Sequence, residues 1–247
     1  MIIITNMTTT TSTIAPYDRV PNSKLSTKQK PVSKASSMRV SNTSLASSST
    51  NPKTIPKAPT SIELPLIDLG STDRASTVEK IREASKNLGL FQVVNHGIPL
   101  SVMDETLKGV RRFHEQDVET KKRFYTRDVS NTVVYNSNID LYSSPAANWR
   151  DTFFSVMAPL PPKAEELPEV CRDIQIEYSN HVLNLVVLLF RLISEALGLE
   201  PNHLGDMDSN KGLTFVGHCY PACPQPDLTM GATKHTDDGF LNCTSTG

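Results

Sequence analysis

One triplet in this sequence has the residue types and the spacing of a metal site. His235 and Asp237 are two positions apart, in the order His-Thr-Asp. On a β-strand, side chains at i and i+2 point to the same face, so the imidazole and the carboxylate would converge on one ion. With one further histidine they would form the arrangement of two histidines and one carboxylate that binds non-haem Fe(II). The triplet therefore predicts two metal ligands.

Two other interpretations of these residues stay open. The chain has six histidines and 26 acidic residues among 247, so one such triplet is expected by chance about as often as not. An ordinary ion pair in a loop or at a strand end would account for it. Alternatively, His218, Cys219, Cys223 and His235 could form a zinc site, because their Cys-x-x-x-Cys spacing is within the range of structural zinc sites. Buried thiols are the simpler explanation of these cysteines.

The pattern of apolar residues predicts the elements that position the triplet. Helical spacing occurs over residues 77–88, 99–116, 119–125 and 169–199, and strand patterns occur over 62–69, 90–94, 132–135, 152–157, 213–220 and 229–236. The last residues, 242–247, are polar and have no strand pattern. Helices thus dominate the first two-thirds and strands gather at the end, which predicts an α+β fold rather than alternating βαβ units.

The first 60 residues differ in composition from the rest. They contain 22 serines and threonines and eight basic residues against one acid, Asp18. A segment this poor in apolar residues cannot bury enough surface to offset its ordering entropy, so we expect residues 1–60 to be disordered. We expect residues 61–199 to form a mainly helical region and residues 200–247 to begin a β-rich core. Basic, Ser-rich, acid-poor termini also resemble organellar transit peptides, so a plastid address is the alternative to the cytoplasm.

Charge and cysteine content restrict the partners. The formal net charge is −1, which argues against general binding to nucleic acid or acidic lipid. Four scattered cysteines are too few for a disulfide framework, and this favours a reducing compartment such as the cytoplasm. The longest apolar stretch, 182–193, is shorter than the ~20 residues of a membrane span. We therefore expect neither nucleic acid nor a membrane as a partner.

Four further motifs occur in order along the chain. They are LPLIDL at 64–69, GLFQVVNHGIP at 89–99, WRD at 149–151 and YPACPQP at 220–226. The tyrosine of the last motif lies fifteen residues before His235. Together these motifs resemble those of the plant 2-oxoglutarate/Fe(II)-dependent dioxygenases, over residues 62–241. Gly217-His218 and the segment 226–229 are most similar to the subgroup of 1-aminocyclopropane-1-carboxylate oxidase homologues.

The resemblance implies a fold, a chemistry and residue roles. The fold would be a helical N-terminal region followed by a double-stranded β-helix, or jelly-roll, which is incomplete in this chain. His235 and Asp237 would be two of three iron ligands, Tyr220 would hydrogen-bond a carboxylate of 2-oxoglutarate, and His218 would line the same site. The implied activity is C–H hydroxylation of a small metabolite in plant specialised metabolism, with Fe(II), 2-oxoglutarate as cosubstrate and ascorbate as a reductant. No catalytic residue is expected beyond the metal site.

Two of the motifs have structural interpretations. Asn95-His96-Gly97 is expected to be a tight turn after a strand. Trp149-Arg150-Asp151 is expected to be a packing and ion-pair element. His114, His181 and His203 lie in helical or loop contexts, where core or surface positions are the ordinary expectation.

The chain departs from the family pattern after Leu241. Members of the family have a further iron-binding histidine downstream, and then an Arg-x-Ser that binds the far carboxylate of 2-oxoglutarate, a task suited to the planar guanidinium. Here no histidine follows His235 and no basic residue follows Lys234. The sequence therefore predicts a C-terminally truncated, impaired dioxygenase. The alternative is an inactive product or an interaction module that associates with a full-length relative.

Overall fold

The computed structural model describes residues 2–4, 37–42, 63–139, 146–233, 235, 237 and 239–245. The helices are α1 (Arg74–Asn87), α2 (Leu100–Glu115), α3 (Val118–Lys122), α4 (Arg172–Ala196) and α5 (His203–Asp206). The strands are β1 (Ile2–Ile4), β2 (Ser37–Asn42), β3 (Leu66–Asp68), β4 (Phe91–Val94), β5 (Val133–Ser137), β6 (Ala147–Asn148), β7 (Asp151–Ala158), β8 (Gly212–Cys219), β9 (Thr229–Met230) and β10 (Asn242–Ser245). Short 3-10 turns occur at Ala164–Glu166 and Pro226–Leu228.

Eight strands form one mixed sheet in the order β3-β4-β1-β10-β2-β8-β7-β5. Neighbours from β3 through β8 pair in parallel, whereas β8 with β7 and β7 with β5 pair antiparallel. Strands β6 and β9 form a separate parallel pair, and β6 directly precedes Trp149. The mixture of helices and strands agrees with the predicted α+β content.

The helices begin and end close to their predicted positions, for local reasons. The Asp73 carboxylate accepts a hydrogen bond from the backbone N–H of Ser76 at 3.0 Å and caps α1. Gly89 follows α1 with φ +66°, a conformation that favours glycine and stops the helix. Pro99 precedes the first residue of α2, where its missing N–H costs no helical hydrogen bond.

Three expectations about the strands were wrong. Strands do not gather at the end of the chain, because β3 through β7 all precede α4. Residues 242–245 form β10, although their side chains are mostly polar. Backbone pairing on both sides supports β10, and the fully buried Cys243 joins its side chain to the core. Finally, β1 and β2 lie within residues 1–60, where disorder was predicted. The remainder of that segment lies outside the described residues.

The core lies between the sheet and helices α2 and α4. Phe113 of α2 is fully buried, with its ring centroid 4.5 Å from that of Phe153 and 5.4 Å from that of Tyr135. Helix α2 packs so closely against α4 on one side and β8 on the other that a glycine is needed at each contact. A Cβ at Gly109 would lie 3.0 Å from Ile174 of α4. A Cβ at Gly217 of β8 would lie 2.8 Å from the side chain of α2 that packs against it.

Helix α4 is long enough and apolar enough to cross a membrane by length and composition alone. The helix has 25 residues and therefore extends beyond the apolar stretch 182–193 identified in the sequence. Its residues Val182, Leu185, Val186 and Leu189 are buried in the core. Packing inside the protein therefore accounts for its apolar composition, as for a central helix of a folded domain.

Candidate functional site

The pairing of β7 with β8 brings four side chains to one face of the sheet. Thr152 pairs with His218 and Asp151 pairs with Cys219 in antiparallel register. One step further along this register, Arg150 lies opposite Tyr220. Since residues two apart on a strand share a face, Arg150 and Thr152 face the same side as His218 and Tyr220.

Distances between these side chains confirm their grouping. The Thr152 hydroxyl lies 3.1 Å from Nδ1 of His218. Nη1 of Arg150 lies 3.5 Å from the phenol oxygen of Tyr220, and the His218 and Tyr220 ring centroids are 6.2 Å apart. The four groups thus form a continuous polar patch, here called the β7–β8 patch, in which Arg150 supplies the cation.

The Pro-rich loop after Tyr220 is held to the neighbouring Trp149. The indole Nε1 of Trp149 donates to the carbonyl oxygen of Ala222 at 3.2 Å, and its backbone N–H donates to the carbonyl oxygen of Met230 at 2.7 Å. A Cβ at Gly231 would lie 3.4 Å from the Tyr220 ring, so the chain passes closely over that ring. These contacts connect the β7–β8 patch to the segment that leads into His235.

His235 and Asp237 converge as the spacing predicted, but without the predicted strand. The strand β9 ends at Met230, and neither His235 nor Asp237 belongs to a strand. Nε2 of His235 nevertheless lies 3.4 Å from Oδ1 of Asp237. Both side chains are partly exposed, by 56% and 35%. The two side chains therefore meet in a loop, and not because a pleated strand directs them to the same face.

Hydrogen bonds orient both donor atoms of this pair. Nδ1 of His235 lies 2.7 Å from the carbonyl oxygen of Thr233, so Nδ1 carries the N–H that donates to this carbonyl, and Nε2 is the nitrogen directed at Asp237. The side-chain amide of Asn242 donates to Oδ2 of Asp237 and leaves Oδ1 towards the histidine. Orientation of ligands by such outer hydrogen bonds is typical of metal sites.

The pair fits two ligands of one Fe(II) ion in its donor types and separation. Imidazole nitrogen and carboxylate oxygen are both suitable donors for Fe(II). Two donors about 2.1 Å from one ion and at right angles lie about 3 Å apart, close to the separation seen here. The same contact also satisfies the alternative of a simple ion pair if His235 is protonated.

The zinc alternative receives no support. Within the part of the chain that the structure describes, no three His, Cys, Asp or Glu side chains are grouped so that they could hold a metal ion. Burial raises the pKa of the Cys219 thiol to about 12, which disfavours the thiolate that zinc requires. The Cys223 sulfur instead lies 3.1 Å from the Thr229 hydroxyl.

The buried side of β7 and β8 carries a second set of polar residues. Asp151 is fully buried and accepts a hydrogen bond from the Tyr135 hydroxyl at 3.3 Å. Nζ of Lys121 is also buried and donates to the carbonyl oxygen of His114 at 2.7 Å. Desolvation lowers the pKa of the buried His114 to about 4, and the negative charge of Asp151 partly opposes this shift. These buried residues lie on the face of the sheet opposite the β7–β8 patch, where their hydrogen bonds contribute to the core.

The two structural motifs have different outcomes. Asn95 has φ +53° and Gly97 has φ +82°, so Asn95-His96-Gly97 is the tight turn that was predicted. Trp149 donates a hydrogen bond to Ala222 and Asp151 accepts one from Tyr135, while the ion pair expected of this motif stays a prediction. Arg150 differs, because it reaches Tyr220. This contact could have been predicted from the pairing register of β7 and β8, which places Arg150 opposite Tyr220.

The chain is similar in sequence to known proteins. Residues 64–175 match the family described as non-haem dioxygenase in morphine synthesis, N-terminal. The chain is 55% identical over 195 residues to 1-aminocyclopropane-1-carboxylate oxidase homolog 1 of Arabidopsis thaliana, covering 76% of this chain and 53% of that protein. It is 53% identical to deacetoxyvindoline 4-hydroxylase of Catharanthus roseus, covering 73% and 46%. The chain thus spans about half the length of these relatives.

Solved structures give the same result for the fold. The crystal structure of JOX2 in complex with 2OG, Fe and JA is 26% identical, with a TM-score of 0.64, covering 77% of this chain and 58% of that chain. A full-length Neurospora crassa protein in complex with alpha-KG is 16% identical, with a TM-score of 0.56, covering 70% and 61%, a likeness of fold alone. Fold and site define a non-haem dioxygenase-like chain. It belongs to the plant 2-oxoglutarate/Fe(II)-dependent dioxygenase family.

Proposed function

We propose that this chain carries part of the active site of an oxygenase that hydroxylates a C–H bond of a small metabolite in plant specialised metabolism. The observation that supports this most is the 3.4 Å contact between Nε2 of His235 and Oδ1 of Asp237. When bound, Fe(II) with 2-oxoglutarate supplies the oxidising chemistry, and ascorbate serves as a reductant. The substrate itself is a further proposal, limited to the class of small molecules.

Each residue of the chain has a separate task in this proposal. Nε2 of His235 and Oδ1 of Asp237 hold the metal ion, while Thr233 and Asn242 fix their orientation. The Tyr220 phenol hydrogen-bonds a carboxylate of 2-oxoglutarate. His218 lines the same site, oriented by the Thr152 hydroxyl.

We further propose that β7 and β8 belong to the start of a double-stranded β-helix, of which this chain contains only a part. Their antiparallel pairing and the likeness to solved dioxygenases support this interpretation. Within its 247 residues the chain has two ligands of the expected three and no basic residue after Lys234. Two ligands bind a metal less tightly than three, so we expect little turnover of 2-oxoglutarate by this chain.

A catalytically inactive chain that associates with a full-length relative is the second candidate. It is favoured by apolar side chains that remain exposed at the outer side and end of α4, among them Val187 and Leu197, exposed by 39% and 61%. Either candidate is proposed to act in the cytoplasm, or in the plastid if residues 1–60 act as a transit peptide. Co-purification with a full-length relative, lost when Leu197 is replaced by Ser, would support the second candidate.

Metal titration tests the first candidate. We would titrate anaerobic Fe(II) into the 247-residue chain, into His235→Ala, and into His203→Ala as a control that removes an exposed histidine from α5. We expect binding of one ion, weakened about tenfold or more by His235→Ala and unchanged by His203→Ala. Equal affinities in all three proteins would refute the site. A robust succinate yield that depends on Fe(II) would refute the expectation of impaired turnover.

A further inference from the structure

We propose that Trp149 is a positioning residue of the metal site, which acts by holding the segment that leads into His235. The inference rests on the proposed function, because the ligands that it concerns are His235 and Asp237. It goes further by giving a role in ligand placement to a residue whose motif indicated only packing. Trp149 acts through the chain and not as a ligand.

Trp149 holds the chain on both sides of the short turn Pro226–Leu228. Its indole Nε1 donates to the carbonyl oxygen of Ala222 at 3.2 Å, before this turn. Its backbone N–H donates to the carbonyl oxygen of Met230 at 2.7 Å, after the turn. The parallel pairing of β6 with β9 supports the second contact. The strand pair and the two hydrogen bonds of Trp149 are here called the β6–β9 clamp.

The β6–β9 clamp is anchored to the main sheet through Asn138, which directly follows β5. The backbone N–H of Asn148 in β6 donates to Oδ1 of Asn138 at 2.9 Å. The backbone N–H of Asn138 in turn donates to the carbonyl oxygen of Arg150 at 3.0 Å. Asn138 is buried and has φ +53°, a conformation that asparagine adopts more readily than most residues. The clamp therefore joins the segment before His235 to a fixed part of the fold.

The two ligands lie between the β6–β9 clamp and β10. His235 is five residues after the end of β9, and Asp237 is five residues before the start of β10. Among the strands that the structure describes, β6 is the only one that pairs with β9. Without the clamp, the segment between paired strands would therefore double in length, from residues 231–241 to residues 220–241. A longer segment has more conformations to lose when its ends and ligands are fixed.

The clamp acts on metal affinity through the fraction of chains in which both donor atoms are correctly placed. Apparent affinity falls in proportion to this fraction. The Thr233 carbonyl that orients the His235 ring belongs to the same segment, three residues after Met230. One hydrogen bond such as that of the indole changes an equilibrium by about fivefold. Loss of the indole donor should therefore weaken metal binding by about this factor.

A change of one atom in Trp149 tests the proposal. Trp149 is the only tryptophan of the 247 residues, so an analogue supplied in place of tryptophan during expression changes this position alone. β-(3-Benzothienyl)alanine replaces the indole N–H by sulfur and removes the donor to Ala222, whereas 7-azatryptophan retains the N–H. Arg112→Gln is the matched control, because Nε of Arg112 donates to the carbonyl oxygen of Val170 at the same 3.2 Å and joins α2 to the residues before α4.

We would titrate anaerobic Fe(II) into these three proteins and the unchanged chain. Without metal, we would measure their urea midpoints and the hydrogen exchange of peptides from residues 231–241. We expect the benzothienyl protein to bind Fe(II) about fivefold more weakly and to exchange faster in this segment, with an unchanged urea midpoint. The 7-azatryptophan protein and Arg112→Gln should match the unchanged chain in Fe(II) affinity and in the exchange of this segment.

Two results would overturn the inference. One is that the benzothienyl protein matches the unchanged chain in Fe(II) affinity and in exchange. The other is a loss of affinity that 7-azatryptophan does not reverse or that Arg112→Gln shares, since the indole N–H would then not be its cause. Failure of the proposed function has a different signature, which is Fe(II) affinity that does not depend on His235. That result would refute the metal site and with it this role of Trp149, even if the exchange of residues 231–241 still depended on the indole N–H.

Discussion

The packing of β8 against α2 leaves no room for a side chain at Gly217. A Cβ at this position would lie 2.8 Å from Cγ1 and 3.1 Å from Cγ2 of Val110. The first distance is shorter than real Cβ contacts and the second is unusually tight, so Gly217→Ala must displace the strand, the helix or the valine. Overpacking of this kind costs about 1–3 kcal/mol, and we expect the free energy of unfolding to fall by about 2 kcal/mol.

The partner of this contact allows a double-mutant cycle. Val110 is 6% exposed, and Val110→Ala removes two buried carbon atoms at a cost of about 2 kcal/mol. In the double variant the alanine at 217 occupies space that the valine has vacated. We therefore expect the double variant to lose less stability than the sum of the single variants, by about 1 kcal/mol or more.

Urea denaturation measures all three proteins. With an m-value of about 2 kcal/mol per molar urea, a loss of about 2 kcal/mol lowers the midpoint by about 1 M. Gly205→Ala in α5 is the matched control, because its Cβ would lie 3.8 Å from the Asn210 amide, an ordinary contact. We expect the control to change stability by less than about 1 kcal/mol. A neutral Gly217→Ala, or additive losses in the double variant, would refute the packing argument.

Three further predictions concern titration, thiol reactivity and ligand orientation. Burial lowers the pKa of His114 to about 4, below the value near 6.5 of an unfolded chain, so the unfolded chain binds the extra proton and stability falls as the pH drops through this window. Urea midpoints between about pH 4 and 7.5 should show this fall, and His114→Gln should reduce it. Burial raises the pKa of three thiols to about 12, those of Cys171, Cys219 and Cys243. A disulfide reagent at about pH 8 should therefore modify them only after unfolding, and rapid reaction in the native chain would contradict their burial. Asn242→Ala should weaken Fe(II) binding about tenfold without lowering the urea midpoint, since the amide orients Asp237; unchanged affinity would exclude that role.

Local signals explain why the helices could be predicted. The apolar spacing of α1, α2 and α4 is visible within each segment, and Gly89 and Pro99 mark boundaries without reference to the rest of the chain. The turn at Asn95-His96-Gly97 is local in the same way. Predictions that depended on neighbours along the chain were therefore reliable.

Long-range pairing explains why other features could not be predicted. Strand β10 pairs with β1 and β2, which lie more than 200 residues away in sequence, and its polar side chains give no alternating pattern. Arg150 acquires its place beside Tyr220 only through the β7–β8 register. The convergence of His235 with Asp237 was predicted, but its cause was not, because the orienting contacts of Thr233 and Asn242 depend on loop conformation.

The most direct test of the metal site is a crystal structure of the chain with Co(II), analysed by anomalous scattering at the cobalt edge. We predict one anomalous peak in contact with both Nε2 of His235 and Oδ1 of Asp237. A peak at Cys219 and Cys223, or an ordered His235–Asp237 ion pair with no ion beside it, would contradict the assignment.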